Sequence, residues 1–284
     1  MTHGGTRGLG RAASALMVLV VAPILVGTCY AAGAALGLMG AGSSGFSVQR
    51  VVDVLVRGET WLSLAWTVFV AGSATVAAVA TVVWSVGALW ESPMGRRLAV
   101  LPLAIPHVAG ALGILLLVGQ SGLLARFAFA LGWIQLPSDF PAIVYDRFGI
   151  GLAIAFFWKE FPFLALTAFA IRSGISADLI EAARSLGASA AQVERAVVRP
   201  LVLRGVMPAT ISVFAFLLGQ FEMASLLGPS APPAFAVLTF ERTADPMLAR
   251  RGEAYVLALL AMALTALLVW AYNRVSRDIA ERQA

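Results

Sequence analysis

Charge is scarce in this sequence. Asp, Glu, Lys and Arg together make 12% of its 284 residues, about half the ~25% of an ordinary soluble domain. With 60% of the residues hydrophobic and a mean hydropathy of +0.88, polar side chains cannot cover the surface. Lipid is therefore the solvent for much of the chain. Lysine is nearly missing: Lys159 is the only one, and every other basic residue is Arg. The formal charge is a modest +5, and the arginines gather near the ends of apolar runs. That pattern reads as membrane topology. No aromatic-basic platform points to nucleic acid.

Other absences narrow the chemistry. The single cysteine, Cys29, excludes an internal disulfide, and no Cys/His set has metal-ligand spacing. Of the two histidines, His3 and His107, the second follows Pro106 near the start of an apolar run, where a packing role is expected. There is no GxxxxGK[ST] phosphate loop, no HExxH and no Ser/His/Asp or Cys/His set. The chain is thus expected to be neither an ATPase nor an enzyme of another kind, and to bind no cofactor or metal. It shows no soluble domain, low-complexity tract or tandem repeat.

What is present is apolar length. A membrane-crossing helix needs about 20 mostly apolar residues. Six runs qualify, at about 12–38, 61–89, 98–119, 149–171, 205–227 and 253–273. The sequence therefore predicts an all-α integral membrane protein, one domain over residues 1–284. Arg7 and Arg11 precede the first run as in a signal peptide. That run extends far beyond a signal core of ~7–15 residues, so a retained helix is expected. With the N-terminus inside, the inner segments hold twelve arginines and the outer ones seven, which places both termini in the cytoplasm. The outer segments 40–60, 120–148 and 228–252 suit short interfacial helices or a docking rim.

Between the fourth and fifth runs the chain reads "LIEAARSLGASAAQVERAVVRP", from Leu179 to Pro200. Ser176 is a plausible N-cap, with Asp178 favourably placed in the first turn. Gly187 suits a left-handed C-cap. Ser189 and Gln192 match a capping box opening a second helix, whose apolar side is Val193, Ala196 and Val197. Pro200 is expected to stop or kink that helix. Two short helices at an angle suit either a solvated loop or a piece that lies in a partner's groove.

The spacing Glu181-Ala182-Ala183, Gly187, Val197, Pro200 resembles the EAA loop of permease subunits of binding-protein-dependent ABC importers, of the MetI-like kind. The text "FWKEFPFLALTAFAIRSGISADLIEAARSLGAS" and "LLGQFEMASLLG" is similar too. Arg199 departs from the pattern, which usually has an aliphatic residue there. The resemblance implies six membrane helices around a five-helix core, and a cytoplasmic coupling loop at 174–200 that seats on ABC ATPase subunits through Glu181, Ala182, Ala183, Gly187, Ser189, Val197 and Pro200. It implies as further partners a second permease subunit, an identical or different chain, and an extracytoplasmic substrate-binding protein. ATP and Mg would sit on the ATPase, and the location would be a bacterial or archaeal inner membrane. The text looks nearest the branch that moves polyamines, phosphonates, iron or thiamine; the sugar branch is the alternative.

Three ions fall inside predicted spans: Lys159 and Glu160 in the fourth, Glu222 in the fifth. A central charge costs roughly 2.5–3.5 kcal/mol on insertion scales, so each should face protein or water. They either line the translocation path or form a buried structural pair. Lys159 and Glu160 are neighbours, about 100° apart around a helix, and are not expected to point the same way. An ion-coupled carrier using these three as a relay is a competing reading, but the halves show no repeat symmetry to support it.

Overall fold

The computed structural model describes the backbone of residues 4–40, 43 and 45–281, and the side chains of 17–40, 43, 45–248 and 250–274. His3 and Arg282 lie outside the described residues, as do the side chains of Arg7, Arg11 and Arg277. Among the described residues there are helices and turns but no strand, and six helices are long and apolar enough to cross a membrane.

The chain forms two compact units, Met1–Thr60 with Leu238–Leu267, and Trp61–Val237 with Leu268–Ala284. The first unit is built on α1 (Gly4–Ala35) and α2 (Gln49–Val56), with most of the helix that begins at Leu248. Arg50 donates to the carbonyl of Ala34 at 2.6 Å. Tyr30 meets Tyr255 edge-on, with ring centroids 5.7 Å apart. Arg57 grips both oxygens of Glu253, at 2.6 and 3.0 Å, and Arg242 bridges Glu59 and Glu253. The hydrogen bonds to Glu253 are the main cause that holds the Arg57 guanidinium above its ordinary range.

In the second unit, α3 (Gly58–Glu91) runs through the second apolar segment. Ser92 then caps α4 (Pro93–Val100) by accepting from the amide of Gly95. The third apolar run, expected as one helix over 98–119, is broken. A 3-10 turn occupies Leu101–Ala104, and α5 starts only at His107 and ends at Val118. Pro102 and Pro106 explain the break: each lacks an N–H, and each disfavours helix in the residue before it. A second short helix, α6 (Leu123–Ala130), completes the candidate crossing His107–Ala130.

The fourth crossing, α7 (Ile150–Ser173), lies within two residues of expectation. Its start is set by Asp146, whose carboxylate accepts from the amides of Phe148 and Ile150 at 2.9 and 2.7 Å. Gly149 in the left-handed region then turns the chain into the helix. After the loop helices α8 (Ala177–Ser185) and α9 (Ala190–Val193), a π-helical turn over Glu194–Val198 leads into α10 (Arg199–Leu218). The fifth crossing is therefore Ala190–Leu218, not the expected 205–227. It ends at Gly219, and the remaining residues form α11 (Phe221–Leu227). The chain closes with α12 (Phe235–Thr243) and α13 (Leu248–Glu281), the latter carrying the sixth crossing, Arg250–Arg274.

Candidate functional site

Two places in the second unit gather the residues that the sequence singles out. The first is the 174–200 loop, whose local signals form as read. Ser176 caps α8 by accepting from the amide of Asp178 at 3.2 Å. Gly187 has φ +85°, as its C-capping role requires. Ser189 and Gln192 close a capping box, with Ser189 N donating to Gln192 Oε1 at 2.8 Å and Gln192 N to Ser189 Oγ at 3.3 Å.

Of the stop or kink expected at Pro200, the stop does not occur: the helix runs on through it, and the backbone widens by one residue just before it. The amide of Arg199 bonds to the carbonyl of Glu194, five residues back. The change from i→i−5 to i→i−4 bonding falls beside Pro200, which has no N–H to give to either pattern, and the helix continues from α9 into α10. The extra residue also shifts the inward face. In a regular helix Val193 and Val197 would share a side. Here Val193 and Val198 are buried, Val197 is half-buried and Ala196 is exposed. Arg199, the departure from the EAA pattern, reaches back to the carbonyl of Trp84 on α3 at 2.9 Å.

The helix before this rod is bare. No residue of α8 is buried. Glu181 and Ala182 are exposed and Ala183 is half-buried. Leu186 is 89% exposed and Leu179 46%. Two leucines in the open beside Asp178, Glu181 and Arg184 make a small apolar surface with charges around it.

The second place is a cavity of about 340 Å³ between the 3-10 turn, α5, α7 and α10, lined by Leu103, His107, Lys159, Glu160, Phe163, Ser212, Val213 and Phe216. Lys159 is buried on α7, yet its ammonium donates to the carbonyls of Pro102 and Ile105 at 2.9 and 2.5 Å. Both carbonyls belong to the proline break, where that of Pro102 also accepts from the amide of Ile105 at 3.2 Å, so the lysine answers backbone groups rather than an acid across helices. Glu160 Oε1 lies 3.5 Å from His107 Nε2. His107 also packs edge-on against Phe216 at 5.4 Å. The expected packing role of His107 is thus only part of its surroundings: it also faces an acid inside the cavity. Lys159 and Glu160, expected to diverge, line the same cavity because its wall curves around α7 from the broken segment to α5. Glu222 does not join them. It is exposed in the first turn of α11, beyond the end of the fifth crossing. Among the described residues, no group of three His, Cys, Asp or Glu side chains is placed to hold a metal.

No family model matches the chain. Over 201 residues it is 32% identical to the inner membrane ABC transporter permease protein YnjC of Escherichia coli, a match that covers 68% of this chain and 37% of that protein. It is 26% identical over 247 residues to PhnV of Salmonella typhimurium, which is named for 2-aminoethylphosphonate transport, with 84% and 83% covered. Other relatives are named as molybdenum and sulfate transport permeases. Of the first relatives the chain spans less than two thirds, 37% of YnjC and 62% of a molybdenum permease. Among solved structures, the fold matches the crystal structure of a bacterial alginate ABC transporter in complex with an alginate pentasaccharide-bound periplasmic protein. That match has a TM-score of 0.71 at 17% identity and covers 96% of each chain. The fold defines a multi-pass membrane protein with six apolar crossings. The chain is similar to proteins named as ABC transporter permeases, and its fold matches that of a chain of a bacterial ABC transporter.

Proposed function

We propose that this chain is a membrane subunit of an ATP-driven importer, acting as one permease domain over residues 1–284. It pairs with a second permease subunit to form the solute path and receives solute from an extracytoplasmic binding protein. ATP and Mg bind to separate ABC ATPase subunits, and this chain carries no cofactor. The loop 174–200 and both termini face the cytoplasm of a bacterial or archaeal cell, and the membrane is the inner one. One observation carries the reading. The exposed helix α8, with Leu179 and Glu181 presented outward and Leu186 just past its end, is joined by the short Gly187 turn to a helix that runs from Ala190 to Leu218 through a membrane crossing. A bare helix that is tied in this way suits a grip on a partner whose movement must reach the membrane.

The solute is small and polar, of the polyamine, phosphonate, iron or thiamine kind. The name of the PhnV relative favours the phosphonate member, and the molybdenum and sulfate names also point to small oxyanions. For such a solute Lys159 supplies the positive charge at the cavity, and Glu160 would instead favour a cation. Mass spectrometry of the solute retained by the cognate binding protein separates these; a sugar there would refute all of them.

Purification in mild detergent tests the assembly. ATPase subunits are expected to copurify with the wild-type chain. Glu181→Lys reverses a charge at the proposed contact and should weaken their retention at least about tenfold, the equivalent of about 1.4 kcal/mol. Retention and transport at the wild-type level in that variant would remove Glu181 from the interface.

A further inference from the structure

Four elements of the second unit meet at the base of the 174–200 loop. Arg172, in the last turn of α7, donates from Nη1 to Glu194 Oε2 at 2.9 Å. Both side chains are largely enclosed, 14% and 19% exposed. Glu194 is the first residue of the π turn. Gly87 on α3 lies against the same carboxylate, so closely that a Cβ there would sit 2.7 Å from Glu194 Cδ. Just past the turn, Arg199 holds the carbonyl of Trp84, also on α3.

An enclosed ion pair is poor evidence of stability, because desolvation offsets the attraction. This one is not even fully satisfied: Arg172 Nε and Glu194 Oε1 have no hydrogen-bond partner among the described residues. What distinguishes it is position. With no buried residue of its own, α8 is tied to the membrane helices through its two chain ends, toward α7 and toward α10. Neither end leads directly to α3. The carboxylate of Glu194 and the guanidinium of Arg199 supply that connection.

We propose that Arg172 and Glu194, seated against Gly87, are positioning residues that clasp the loop's second helix to α3 and α7, so that a displacement of α8 moves three membrane helices together. This rests on the importer reading above. Two variants part the clasp in different ways. Glu194→Gln removes the charge. Gly87→Ala leaves both charges in place but pushes the carboxylate aside. The atoms it meets are the flexible end of one side chain, so the variant is expected to fold.

Hydrogen–deuterium exchange on the transporter purified with its ATPase subunits reads the connection, with ATP plus vanadate as the probe. In the wild type, nucleotide should change exchange both at 176–186 and at 82–91. In Glu194→Gln and in Gly87→Ala the change at 176–186 should persist while that at 82–91 is lost. Arg172→Glu combined with Glu194→Arg should restore it. The clasp is overturned if 82–91 responds normally in either single variant, if it never responds in the wild type, or if the exchanged pair restores nothing. A wild-type chain that retains no ATPase, or shows no response at 176–186, sinks the importer reading and the clasp with it.

Discussion

Replacing Gly149 and Gly187 by alanine, one at a time, separates two kinds of cost. Both glycines are left-handed, with φ of +71° and +85°, and alanine in that region costs about 1–2 kcal/mol from the backbone alone. At Gly187 nothing lies within 4 Å of the added Cβ, so that is the whole cost, and it falls on a loop whose helix is unburied. At Gly149 the Cβ would meet Val70 Cγ2 at 2.6 Å and Trp66 Cζ2 at 2.8 Å. Overpacking of this kind adds about 1–3 kcal/mol. Trp66 cannot retreat freely, because its Nε1 donates to the carbonyl of Arg147 at 2.8 Å; losing that bond adds about 1 kcal/mol. The sum is about 3–6 kcal/mol for Gly149→Ala. Heating in detergent followed by size-exclusion chromatography should show its midpoint lowered by roughly 10 °C. Gly187→Ala should keep the wild-type midpoint and instead raise amide exchange across 176–200. Equal midpoint losses in the two variants would refute the separation of backbone strain from steric crowding.

Two further substitutions test the cavity. Glu160→Gln should alter import kinetics, whereas Glu222→Gln, exposed on α11 and outside the cavity, should leave them unchanged; an effect of Glu222 alone would move the path elsewhere. Lys159→Met keeps the volume but takes a donor from the carbonyls of Pro102 and Ile105, at a cost of about 1–3 kcal/mol. An unchanged unfolding midpoint in that variant would show that the break at the prolines does not depend on the lysine.

The six crossings were legible because a hydrophobic run of membrane length has few other uses. The loop was legible at the level of single residues because caps act within four positions: Ser176, Gly187 and the Ser189–Gln192 box needed no knowledge of the rest of the chain. The places where structure departs from sequence pattern have a common cause. Hydropathy over a window does not register where the backbone hydrogen-bond ladder stops. The apolar text runs on through Gly219 and Gln220 and so places Glu222 within an expected span, whereas the helix ends at Leu218. Pro102 and Pro106, four residues apart, carried the signal for a break in the third run, but they were outweighed by the surrounding leucines. The approach of His107 to Glu160 joins residues 53 apart in sequence, and no local pattern announces it.

That common cause also says where charge goes in a chain with so little of it. Lys159 serves the carbonyls beside the broken third crossing. Arg96 serves the carbonyl of Trp90, where α3 gives way to α4, and lies over its ring. Arg199 follows the π turn and serves the carbonyl of Trp84, while Arg172 holds Glu194 at the head of that turn. In lipid an unanswered backbone group costs several kcal/mol, so a break in a membrane helix persists only where something supplies the missing bond. Breaks are also where a helix bends or shifts register most easily. The charged side chains of the second unit therefore mark its mechanical joints, and the density of them between Arg172 and Arg199 sets that joint apart from the rest. If that reasoning holds, loss of motion should follow substitution at these joints more closely than substitution of buried apolar residues such as Leu164 or Val206 in mid-helix, whose removal should lower stability instead.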